Sequence, residues 1–161
     1  MISGFCDWLA ATPLSQAFQD ASWFVPLVQT VHIMSIAVVM TSVGMIDFKL
    51  LGIGGRTQSL DGMVSSFMPW IWTALVILLI TGTLLTITEP SRELMNAAFR
   101  IKMVMVVCAA SMLLIVQRPL RRDAHYWEMS TRRRRAARAI GAACLLLVVS
   151  IVVAGRWIAY I

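Results

Sequence analysis

The stretch TRRRRAARAIGAACLLLVVSIVVAGRWIAY, running from Thr131 to Tyr160, decides the fold. From Ala139 to Tyr160 it carries a single charged residue, Arg156. A helix of that length is about 33 Å long, enough for the roughly 30 Å hydrocarbon core of a bilayer. Arg132, Arg133, Arg134, Arg135 and Arg138 stand immediately before it. An apolar helix behind a dense basic flank reads as a membrane span whose basic side stays in the cytoplasm.

Three more stretches have the same character. They run from about Phe24 to Ile46 (to Leu51 if the helix outlasts the membrane), from about Trp70 to Ile87, and from about Ala97 to Val116. No stretch alternates with period two, so an outer-membrane barrel is excluded. Helices satisfy their own backbone in lipid, and the expected fold is an all-α integral membrane four-helix bundle. Composition agrees: of 161 residues 59% are apolar and 14% charged, against a quarter charged in an ordinary soluble domain. The chain reads as one membrane domain, 1–161. It has an interfacial segment at 1–21, spans at about 24–46, 70–87, 97–116 and 139–160, and a basic loop at 117–138.

The net charge of +6 would point to nucleic acid in a soluble protein. Here eight arginines gather in the third connection, at 118, 121, 122, 132, 133, 134, 135 and 138. No aromatic interleaving accompanies them, so they read as a topology signal in contact with anionic lipid. The first connection holds Lys49 and Arg56, and the second holds Arg92 and Arg100 against Glu89 and Glu93. Four spans with the third connection in the cytoplasm put both termini in the periplasm. The protein is then expected as a multi-pass protein of the bacterial inner membrane. The first 21 residues contain no Lys or Arg and no cleavable apolar core, so no secretory signal is read there. Phe5, Trp8, Leu9 and Leu14 suit an interfacial helix that Pro13 breaks in two. Pro69 and Trp70 are expected to open the second helix.

Ionisable residues inside spans are costly, and few occur here. His32 lies about eight residues into the first span, Lys102 about five into the third, and Arg156 about five before the end of the fourth. These three nitrogen groups share one depth near the outer face, and no acid in the spans balances them. A haem supplies the missing partner: its iron takes a neutral imidazole, and its propionates pair with Arg or Lys. Gln29 and Ser35, three residues to either side of His32, are placed to orient the imidazole or a ligand. His125 falls in the basic loop, so the sixth iron ligand is left open between Lys102, water, nothing, or one of Met34, Met103 and Met105. The plainer readings are an interhelical hydrogen bond for His32, and snorkelling to the headgroups for Lys102 and Arg156. Asp47 is within reach of Arg56 or the basic loop. Cys6, Cys108 and Cys144 form no disulfide or close metal-ligand pattern, and Cys108 and Cys144 read first as packing thiols, with copper ligation as a rival.

The runs Trp23-Phe24-Val25-Pro26, Gln29-Thr30-Val31-His32 and Asp47-Phe48-Lys49-Leu50-Leu51-Gly52 resemble a family of uncharacterised four-span bacterial membrane proteins. Pro69-Trp70, Thr81-Gly82, Phe99 to Lys102, and Ala154-Gly155-Arg156 to Tyr160 extend the likeness over nearly the whole chain. More distantly, the plan is similar to the CopD-like copper-resistance proteins and the HemJ-like protoporphyrinogen oxidases. The HemJ-like resemblance implies haem b and a functional pair at His32 and Lys102; the rest of that family's motif is not evident here. The resulting expectation is a small b-type haem membrane protein, a redox or electron-transfer subunit at the periplasmic face. It would exchange electrons with a periplasmic partner or larger membrane complex and with a membrane quinone. A non-catalytic anchoring subunit and CopD-like copper handling are the rivals.

Overall fold

The computed structural model describes residues 2–53, 59–127 and 129–157, without the side chains of residues 2, 3, 156 and 157. Two short helices come first, α1 (Ile2–Ala10) and α2 (Pro13–Asp20). Then follow α3 (Phe24–Leu51), α4 (Leu60–Thr88), the short α5 (Pro90–Leu94), α6 (Ala97–Leu120) and α7 (Thr131–Trp157). Four of them, α3, α4, α6 and α7, are long and apolar enough to cross a membrane. This is the architecture of a multi-pass membrane protein, and the described residues contain no strand.

The helices outrun the apolar stretches that announce them. Helix α4 begins at Leu60, ten residues before the expected start, and Pro69 lies inside it. Ser59 sets that start: its side chain accepts from the Gly62 N–H at 3.1 Å, the role of an N-cap. Helix α7 begins at Thr131, so most of the arginine run is helical and the irregular part of the third connection shrinks to 121–130. Ser130 opens this helix, accepting from Arg133 N–H at its hydroxyl and from Arg134 N–H at its carbonyl. Arginine is a good helix former, and once capped the basic run continues the apolar helix outward. At the end of α3, Gly52 adopts φ 83°, a left-handed conformation open to glycine. Arg138 of α7 lies against it; a Cβ there would sit 3.3 Å from Arg138 Nη2. A cation at the C-terminal end of a helix is favourably placed.

Helix α3 is the hub. It packs along α4 on one side and α7 on the other, and α6 packs on α7. No extensive contact joins α4 to α6, so the order around the bundle is α4, α3, α7, α6. Very close approach of α3 and α7 occurs at Gly141, where an added Cβ would lie 2.9 Å from Leu50 Cβ. The packed core gathers at the arginine-rich end, around Val43, Ile46, Leu50, Val64, Ile71, Val116 and Cys144. Trp127 folds the connection back onto it, donating from Nε1 to the Val116 carbonyl at 3.2 Å. The opposite end buries fewer side chains, among them Val28, Ser35, Thr81 and Thr88.

The N-terminal helices close that opposite end. As Pro13 predicts, the segment is two helices, with Pro13 at the first turn of α2. Ser15 Oγ donates to the Ile87 carbonyl at 2.8 Å and Gln19 Nε2 to the Thr88 carbonyl at 2.8 Å. These bonds satisfy carbonyls that the end of α4 leaves open. Phe18 stacks on Phe24 with ring centroids 4.2 Å apart, fixing α2 to the start of α3. Phe5, Trp8 and Leu14 point outward, the face an interfacial helix offers to lipid.

Candidate functional site

His32 lies on the side of α3 that meets α4. Its Nδ1 is 2.7 Å from Thr81 Oγ1. The Thr81 hydroxyl has one proton and also lies 2.7 Å from the Ile77 carbonyl. With that proton on the carbonyl, Thr81 accepts from His32 and the proton of the neutral imidazole sits on Nδ1; with it on His32, the ring proton sits on Nε2. The first arrangement leaves Nε2 with a free lone pair. Gly82 follows Thr81 and faces the ring; a Cβ there would meet His32 Cε1 at 3.6 Å. The Thr81-Gly82 pair thus supplies a hydrogen-bond partner and a flat wall for one imidazole.

Lys102 comes from α6 and lies over Gly155 of α7, where an added Cβ would stand 3.9 Å from Lys102 Cδ and 4.0 Å from Nζ. Phe99, one turn earlier, has its ring centre 5.9 Å from Nζ. Lys102 is close enough to His32 for its charge to act there. So α3 and α6, which share no extensive interface, bring an imidazole and an ammonium into one region. The Arg156 side chain lies outside the described residues, although its helix turn adjoins Gly155.

The remaining expected positions divide. Ser35 is buried, but its hydroxyl donates to the Val31 carbonyl of its own helix at 2.8 Å. Gln29 is exposed. Neither holds the imidazole; Thr81 does, from another helix. Met34 and Met103 are exposed on the outside of the bundle. Among the described residues no group of three or more His, Cys, Asp or Glu could hold a metal ion.

Asp47 does not pair with the described arginines of the basic loop. It is 1% exposed, packed in the core at the arginine-rich end, and makes no ion pair with any described residue; Arg56 lies outside them. The Cys144 thiol of α7 lies against its carboxyl, and Oδ2 has no hydrogen-bond partner among the described residues. The Asp47 carbonyl also lies at the Gly141 crossing. The signal in the sequence was an acid and a thiol on two different spans near the same end.

The sequence profile of a family of unknown function, DUF6644, matches residues 16–161. The chain belongs to the DUF6644 family. The match takes in all four long helices and the C-terminal part of α2, hence His32, Thr81, Asp47, Lys102 and Cys144. No curated protein and no solved structure matches this DUF6644 chain.

Proposed function

We propose that this DUF6644 protein is a small b-type haem membrane protein, serving as a redox or electron-transfer subunit. The observation that carries the reading is the His32–Thr81 hydrogen bond. Metal-bound histidines commonly donate their second ring nitrogen to an acceptor that fixes tautomer and orientation. With the ring proton on Nδ1, Thr81 would do this for His32 and Nε2 would be free to ligate. Lys102 stands nearby as a cation for a propionate or as a second ligand, and Arg156 is the expected second cation. The sparse packing of this end is consistent with a site for a large planar group. Bound haem would supply one-electron chemistry. His32 would set its position, Thr81 would hold the imidazole, and Lys102 would balance anionic charge.

The Lys/Arg asymmetry supports a cytoplasmic arginine end, so His32 and both termini belong on the periplasmic side of the inner membrane. A periplasmic redox partner or a larger membrane complex would then exchange electrons with the site, and a membrane quinone could take the other end of the transfer. The test is a dithionite-reduced minus oxidised spectrum of the detergent-purified protein, with a pyridine haemochrome assay. The expected result is a b-type spectrum near one haem per chain, lost in His32→Ala and weakened in Thr81→Val. Full haem retention in His32→Ala overturns the assignment of the ligand, and a colourless wild type overturns the haem reading.

The second reading, an anchoring subunit, draws on the same bond. Thr81 satisfies His32 by an ordinary interhelical hydrogen bond. It predicts a colourless protein that co-purifies with other chains. A copper site has less support: Cys108 is exposed and Cys144 is engaged with Asp47.

A further inference from the structure

Because α4 and α6 do not pack along each other, a cleft of about 350 Å³ opens between them at the arginine-rich end. That volume is at the small end of ligand sites and suits a headgroup with its glycerol rather than a whole lipid. Its chemistry is graded along the bundle axis. Asp61, near the start of α4, and Arg121, just past the end of α6, stand at the outer rim. Gln117 and Ser65 come next, and Met68 and Trp72 lie deeper. The rim charges are opposite, and neither makes an ion pair with a described residue.

Gln117 is the second observation. It is only 8% exposed, lines the cleft, and its side-chain amide makes no hydrogen bond to any described residue. Its amide atoms are not sealed off, so Gln117 offers a donor and an acceptor to whatever enters the cleft. Pro69 adds an acceptor. It sits inside α4 and has no N–H, which leaves the Ser65 carbonyl without its helical donor on the same lining.

We infer that this cleft binds a phospholipid with a primary-amine headgroup, of the phosphatidylethanolamine type. The ammonium goes to the Asp61 carboxylate and the open Ser65 carbonyl. The phosphate goes to Arg121, whose guanidinium can form charge-assisted hydrogen bonds with it. The Gln117 amide takes the glycerol ester oxygens, and the acyl chains run past Met68 and Trp72 into the membrane. An anionic headgroup would lack a partner for Asp61 and be repelled by it. A choline headgroup has the charge but no N–H to donate. The site does not depend on what His32 binds.

The test is native mass spectrometry of the delipidated full chain in detergent, titrated with phosphatidylethanolamine, phosphatidylglycerol, phosphatidylcholine and a short-chain ubiquinone. Wild type should bind phosphatidylethanolamine about tenfold more tightly than the other two phospholipids, the worth of one charge-assisted hydrogen bond. Asp61→Asn should erase that preference, weakening phosphatidylethanolamine and, with the repulsion gone, strengthening phosphatidylglycerol. Arg121→Gln should weaken all three phospholipids. Both side chains lie at the rim rather than in the core, so both variants keep the fold, and far-UV circular dichroism checks it. Equal affinity for the three phospholipids overturns the inference, as does a preference that survives Asp61→Asn, or displacement of the lipid by ubiquinone.

Discussion

Replacing Gly141 by alanine tests how α3 and α7 are held together. A Cβ at Gly141 would stand 2.9 Å from Leu50 Cβ and 3.3 Å from the Asp47 carbonyl oxygen. Carbon atoms rest about 3.5–4.0 Å apart. Neither neighbour is a flexible side-chain tip; one is a Cβ and the other is backbone, so the helices themselves must separate by about 0.6–1 Å. A gap of that size forfeits about a quarter to a half of each affected contact. Overpacking of this kind costs about 1–3 kcal/mol, and alanine returns up to about 1 kcal/mol of helix propensity. With the full return, the net expectation is a loss of about 0–2 kcal/mol, still about 1–3 kcal/mol below an unhindered control. Gly44, within α3, is the control, because nothing lies within 4 Å of its added Cβ. Gly44→Ala should be neutral or gain up to about 1 kcal/mol. Both variants can be unfolded reversibly with sodium dodecyl sulfate in mixed micelles and followed by circular dichroism. Equal stability of the two variants would refute the close crossing.

Ile71 is fully buried and Leu79, two turns further along α4, is 71% exposed. In the same assay Ile71→Ala should cost about 2–5 kcal/mol and Leu79→Ala under about 0.5 kcal/mol; similar losses would mean that α4 is rotated about its axis. Asp47→Leu should leave stability unchanged or raise it by about 1 kcal/mol, since it removes a buried oxygen without a partner. A loss of several kcal/mol would reveal a partner for that carboxyl outside the described residues. For the proposed orientation, Arg122→Cys in a chain freed of its native cysteines should be modified by an impermeant thiol reagent in inverted vesicles and protected in intact spheroplasts. Labelling in spheroplasts would reverse the topology.

Much of the fold was legible along the chain. The four spans follow from apolar runs near Val31, Ile77, Val106 and Val149, and the break at Pro13 is where the structure has it. The ends of α4 and α7 were less legible, because polar caps at Ser59 and Ser130 start helices well outside the apolar runs. Of the candidate site, His32 and Lys102 were found as costly residues of common depth. Thr81 was missed as their companion. A threonine in a span usually bonds its own helix, as Thr83 does to the Leu79 carbonyl at 2.7 Å, so nothing local sets Thr81 apart.

Crossing a bilayer is a property of a segment by itself, since lipid demands about 20 apolar residues with an internally satisfied backbone. The sequence therefore determined the number of long helices, their approximate limits, and the level at which each polar group lies. It could not determine rotation about the helix axes. In a soluble helix one face is polar and declares which side is buried, whereas in a membrane the lipid-facing and core-facing sides are both apolar. Helix packing alone sets that rotation: it turns His32 to Thr81 and Asp47 inward to Cys144, and it holds α4 and α6 apart around Gln117.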